Sequence, residues 1–152
     1  MTDYKLLNET LLSLIDRVPH RIANLANASA LLFEHLEDIN WAGFYLLEGD
    51  RLVLGPFQGK TACIEIPVGK GVCGTAAASG KAQLVPNVHE FEGHIACDSA
   101  SNSEIVLPLF ANSKVVGVLD IDSPSFSRFD VSDLEGLKQF SRIIEKIFDE
   151  RK

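Results

Sequence analysis

Residues 104–122 read EIVLPLFANSKVVGVLDID. Two apolar runs flank a short polar stretch, which predicts a β-hairpin. Its strands are Glu104–Phe110 and Val115–Asp122, joined around Asn112, Ser113 and Lys114. Alternation puts Val116, Val118, Asp120 and Asp122 on one face of the second strand. Val115, Gly117, Leu119 and Ile121 take the other. Both faces begin apolar, so the strand reads as central and buried. Two carboxylates at the end of one buried face are costly unless partnered. The alternative is that the strand runs out into solvent there, and both readings stay open. Glu104 bears on the choice. A turn of three residues sets Glu104 opposite Asp122 on the same face, while two or four residues turn it to the other face. In the first register three carboxylates converge, and like charges that close raise at least one pKa unless a cation intervenes.

Working outward, a β-hairpin precedes this one: Ile39–Leu47, a Glu48-Gly49-Asp50 turn, then Arg51–Phe57. Thr61–Val68 alternates like a third strand, and Ala82–Pro86 like a short one. Between them Gly69–Gly80 is small and Ala-rich, a short buried helix closed by Gly80. Ahead of the strands, Leu6, Leu7, Leu11, Leu14, Ile15 and Val18 recur at helical spacing over residues 3–18, and Pro19 stops that helix. A second helix runs through Ile22, Leu25, Ala26, Leu32, Phe33 and Leu36. The chain closes on a helix with Asp130 as N-cap and a stripe of Leu134, Leu137, Phe140, Ile144, Ile147 and Phe148. Helices, mostly antiparallel strands and a closing helix define an α+β domain with helices packed on a sheet.

A chain of 152 residues fits one domain with a core of its own, so the expectation is a single domain over 1–152. The 21 acidic residues exceed the 14 Lys and Arg, a net charge of −7 that argues against nucleic acid or an anionic membrane as partner. The N-terminus lacks a basic patch followed by an apolar core, and no apolar run approaches the roughly 18 residues of a membrane span. A cytoplasmic location is expected by default. There, three cysteines are unlikely structural bridges and read as core residues, metal ligands or redox thiols.

Cys63 in a strand and Cys73 in an apolar helix suit a core. Cys97 does not, because it sits in the polar, aperiodic stretch Asn87–Ser103, where a thiol can reach a ligand or a second thiol. His89 and His94 flank it, but no CxxC or HxxxH spacing supports zinc, so no metal is expected. Gly69-Lys70-Gly71-Val72-Cys73-Gly74 matches GxGxxG, yet it does not follow the first strand of a βαβ unit. It reads as a tight turn into a closely packed helix, and no bound cofactor is expected. Trp41 and Tyr45 share one strand face, as core packing or as an aromatic wall that accepts a methyl group or partial positive charge.

These stretches together resemble the free methionine-(R)-sulfoxide reductases, small enzymes built on one GAF domain. The resemblance rests on Asn40–Tyr45, Leu54–Gly59, Ala62-Cys63-Ile64, Gly69–Gly74, Ile95–Ser99, Ser103–Pro108 and Gly117–Ser123, with the three cysteines in the family's spacing. It implies a six-stranded antiparallel sheet with helices on one side. It implies Cys97 as the catalytic thiol, Cys63 as the resolving one that closes an intramolecular disulfide, and Cys73 as a third, less directly involved. Trp41 and Tyr45 would form the aromatic side of the substrate pocket, with the backbone of Ile95 and Ala96 lining it. Glu104, Asp120 and Asp122 would hold the substrate's amino group and assist at the sulfoxide. Thioredoxin, with NADPH behind it, would restore the thiols. A non-catalytic GAF sensor is the competing reading, although such sensors usually adjoin an output domain for which this chain has no room. The oligomeric state is open, a homodimer included.

Overall fold

The computed structural model describes residues 1–95 and 100–149. Two helices lead, α1 (Tyr4–Ile15) and α2 (Arg21–His35). Three strands follow, β1 (Trp41–Glu48), β2 (Arg51–Gly59) and β3 (Glu65–Pro67). Helix α3 (Gly71–Ser79) and β4 (Gln83–Val85) precede β5 (Ser103–Ala111), β6 (Lys114–Ser123) and α4 (Val131–Glu145). The strands form one six-stranded sheet in the order β3-β2-β1-β6-β5-β4, with every neighbouring pair antiparallel. The central position of β6 explains why both of its faces are apolar.

Helices α1, α2 and α4 cover one face. Leu7, Leu11, Leu25, Leu32, Leu137, Phe140 and Ile144 meet Phe44, Leu107, Leu119 and Ile121 of the sheet. Asp130 and Asp133 cap α4 reciprocally, each accepting the other's backbone N–H at 2.9 Å. Asp133 also accepts the Tyr4 hydroxyl at 2.6 Å and pairs with Arg128 at 3.3 Å, which ties α1 to the start of α4. The expectation of helices on one side holds for these three only. Helix α3 packs on the opposite face, where Val72, Cys73 and Ala76 meet Tyr45, Val106 and Val118. Its small residues explain this placement, since a Cβ on Gly74 would lie 2.5 Å from the Pro67 carbonyl oxygen.

Two element boundaries differ from the sequence expectation. Helix α1 stops at Ile15, because Arg17 takes a left-handed conformation (φ 59°) before Pro19. The strand expected over Thr61–Val68 shrinks to Glu65–Pro67. The carbonyls of Lys60 and Cys63 instead accept from the side chains of Trp41 and Tyr45.

The β5–β6 hairpin settles the register by an unexpected route. Its turn has two residues, Asn112 and Ser113, with φ of 53° and 65°, as a type I′ turn requires. Alone, that turn would send Glu104 to the other face. A bulge corrects it: Phe110 pairs with Val115 but Leu109 pairs with Gly117, so Val116 is the extra residue. Beyond it Glu104 pairs with Asp122. The bulge also reverses the expected faces of two valines, since Val115 packs on the α3 side and Val116 on the side of α1, α2 and α4.

Ser113 carries a side chain in a left-handed turn position that favours glycine. Ser113→Gly is expected to raise stability by about 0.5–1 kcal/mol. Urea denaturation should show a higher midpoint with an unchanged slope.

Candidate functional site

The register builds one face row by row. Trp41, Asp122 and Glu104 lie abreast across β1, β6 and β5, and Gly43, Asp120 and Val106 form the next row. Gly43 offers no side chain beside Asp120, and a Cβ there would collide with Phe57. Glu104 and Asp120 are buried, and Asp122 is half-buried. From α3, the Cys73 thiol reaches Glu104 Oε2 at 4.0 Å. Cys73 Sγ and one oxygen each of Glu104 and Asp120 lie within 4.8 Å of one another, and these are the groups among the described residues that could hold a metal ion.

Burial pushes the Glu104 carboxyl well up, and the neighbouring Asp120 and Asp122 charges push it further. Asp120 is raised by burial too, although hydrogen bonds from Glu104, Asp122 and Cys73 oppose the rise. The physical picture is a proton held by Glu104 and donated toward Asp120. Burial and the same acids keep the Cys73 thiol protonated. One oxygen of Asp120, Oδ1, is buried with no hydrogen-bond partner among the described residues, and Asp120 and Glu104 enter none of the ion pairs found there. Such a cluster attracts a ligand that brings both positive charge and N–H donors.

Trp41 and Tyr45 wall the same pocket, with ring centroids 5.9 Å apart. Trp41 also stacks on Phe57 at 5.1 Å. Their polar ends are committed and both rings are buried, as core packing expects. Trp41 Nε1 donates to the Lys60 carbonyl at 3.1 Å, and the Tyr45 hydroxyl donates to the Cys63 carbonyl at 2.8 Å. Burial and the nearby Asp120 charge raise the Tyr45 hydroxyl, so it stays a donor. Cys63 thus follows directly on Thr61 and Ala62, which line the pocket. Cys63 is disulfide-bonded, and Cys73 is a free buried thiol.

The structure brings together Trp41, Tyr45, Cys73, Glu104, Asp120 and Asp122, with Ile95 at the rim. Ala96 and Cys97 lie outside the described residues. His94 lines the pocket, and burial, followed by the charge of His89, lowers its pKa. His89 does not line it, and its Nε2 meets Asn102 Oδ1 at 2.8 Å. Sequence reasoning missed the spacing role of Gly43, the stacking of Phe57 on Trp41 and the role of Gly71. With φ of 65°, Gly71 is favoured by its backbone, and a Cβ there would make a tight 3.3 Å contact with Ile95 Cγ1. The glycine signature pointed at this turn and gave no hint of Ile95.

The GAF domain family model matches residues 23–149, which defines the chain as a GAF-domain protein. Within that class, the free methionine-R-sulfoxide reductase of Escherichia coli is 64% identical over 126 residues, 83% of this chain and 76% of that one. The free methionine-R-sulfoxide reductase of Saccharomyces cerevisiae is 46% identical, covering 93% and 85% of the two chains. The fRMsr of Staphylococcus aureus, solved in complex with substrate, is 54% identical with a TM-score of 0.93, covering 98% of this chain and 97% of that one. The chain belongs to the family of free methionine-R-sulfoxide reductases.

The raised carboxyls carry a stability signature. A carboxyl whose folded pKa is raised contributes most below its unfolded pKa, and that contribution is lost as pH rises through the folded value. Glu104→Gln is therefore expected to be stabilising at pH 8, with Tm rising by roughly 2–8 °C for about 1–2 kcal/mol of relieved desolvation and repulsion. The gain should vanish near pH 4 in thermal melts read by circular dichroism.

Proposed function

We propose that this chain reduces the R sulfoxide of free methionine to methionine. The observation that carries the reading is the convergence of Glu104, Asp120 and Asp122 beside Trp41 and Tyr45 on one sheet face. Relatives sharing about half or more of its residues are named for this reaction, which supplies the substrate and its stereochemistry.

The substrate's ammonium sits among the carboxylates, and its methyl group lies against Trp41. The Cys97 thiolate attacks the sulfoxide sulfur while a protonated carboxyl, raised as Glu104 is, delivers a proton to the oxygen. Methionine leaves, and Cys97 is left as a sulfenic acid. The Cys63 thiol then condenses with it; the sulfoxide oxygen departs as water and a disulfide remains. The disulfide-bonded state of Cys63 supports its role as resolver. Thioredoxin, recharged by NADPH, returns both sulfurs to thiols. Cys73 stays protonated and lends its thiol hydrogen to the carboxylates. A thiol cycle of this kind needs a reducing compartment, so a cytoplasmic location is part of the proposal. Peptide-bound methionine sulfoxide lacks the free ammonium, and it would leave buried acids without their counter-charge.

A thioredoxin-coupled NADPH oxidation assay tests this. Free methionine-R-sulfoxide should turn over, whereas the S epimer and an N-blocked sulfoxide should not. Comparable rates on the blocked compound would overturn the free-substrate reading. Cys97→Ser should abolish even one turnover. Cys63→Ser should release one methionine per chain and then stall; normal recycling by that variant removes Cys63 as resolver.

A further inference from the structure

The disulfide-bonded Cys63 is followed by Ile64, whose side chain is 72% exposed. Among the exposed large apolar residues described, only Met1 and Ile22 are more open, and neither adjoins a redox sulfur. The backbone here is fastened on both sides. The Cys63 carbonyl accepts from Tyr45 at 2.8 Å, and the Ile64 carbonyl accepts from the Leu54 N–H at 2.9 Å. The isoleucine is therefore held out in water by fixed neighbours, beside the bond that must be reduced in every cycle.

The charges around it are equally specific. Lys60 and Lys70 are exposed, Lys70 at the pocket lining, and neither enters an ion pair among the described residues. The nearby acid Glu65 is matched by Arg51 at 3.5 Å. In a chain of net charge −7, the exposed charges of residues 60–70 are Lys60, Glu65 and Lys70, a positive excess, while the acids that line the pocket beside Lys70 are buried or half-buried. An exposed isoleucine in a segment with an excess of exposed basic charge fits a protein surface that is apolar around its thiols and acidic at its edge.

We propose that Ile64, flanked by Lys60 and Lys70, is the landing surface for the dithiol protein that reduces the Cys63 disulfide. This rests on the proposed function, in which a protein dithiol closes the cycle, and adds where that protein docks and which sulfur it attacks. The partner's thiolate attacks Cys63 Sγ. A disulfide forms between the two proteins, and the old one breaks, releasing its other sulfur as a thiolate that takes up a proton. The partner's second thiol loses its proton and attacks the partner's own bridged sulfur. Cys63 leaves as a thiolate, and the partner departs oxidised by two electrons.

The test compares two reductants on the full chain with free methionine-R-sulfoxide. With thioredoxin as the probe, Ile64→Asp should lower kcat/KM for the reductant roughly tenfold. Lys60→Glu should lower it by about threefold and flatten its dependence on salt. With dithiothreitol both variants should match the parent chain, which also shows that they fold. Unchanged thioredoxin kinetics, or equal losses with both reductants, overturns the docking surface. If dithiothreitol sustains the parent chain and thioredoxin does not, the protein-dithiol reading fails, and the surface with it. If neither reductant sustains turnover, the reductase reading itself fails.

Discussion

The site depends on the pairing of β5 with β6, and that pairing depends on one surplus residue. A two-residue turn and a one-residue bulge at Val116 shift the strands by compensating amounts. The sum decides on which face Glu104 emerges. With it on the α3 side, three acids share one patch, two of them buried; on the other side, Glu104 would face the helices that hold the main core. The register is thus a condition on the chemistry as much as on the fold. The same sheet then recruits its other parts by simple adjacency: Trp41 beside Asp122, Gly43 beside Asp120, and Cys73 reaching down from α3.

Concentrating acids in this way opposes folding, and the rest of the molecule offsets it. The opposite sheet face is covered by three helices with fully buried Leu7, Leu25 and Phe140. Asp133 cross-braces α1, α4 and Arg128 through bonds of 2.6 to 3.3 Å. Well-partnered polar groups brace the helix ends, while in the pocket Asp120 is buried with one oxygen unpartnered among the described residues. That division between a stable scaffold and a costly site is the usual pattern where a binding patch must wait for its counter-charge.

Much of this was legible in the sequence because period and punctuation are local signals. The sheet, the closing helix with its Asp130 cap and the helix ending at Gly80 all follow from neighbours within a few residues. The shared face of Trp41 and Tyr45 is likewise a matter of counting by two. What stayed illegible is what depends on distant partners. No local rule says that Val116 is a bulge, and simple alternation places Val115 and Val116 on reversed faces. Nor does a local rule say that Thr61 to Ile64 alternates like a strand yet gives the Cys63 carbonyl to the Tyr45 side chain of β1. Helix α3 crosses to the far side of the sheet because Gly74 lets it approach Pro67, a contact between turns that hydrophobic spacing does not encode. The roles of the cysteines came from family resemblance, since a thiol's reactivity is set by what surrounds it in space.

The bonds from Trp41 Nε1 to Lys60 and from Tyr45 to Cys63 join two parts that could have been independent. The rings belong to a central strand, the stiffest part of the sheet, and the sulfur-bearing segment hangs from them like a bracket bolted to a beam. The position of Cys63 is therefore inherited from the sheet, and the length or composition of its own loop matters less. Insertions elsewhere in that segment would be absorbed as slack, while any shift of the aromatic pair would carry the sulfur with it.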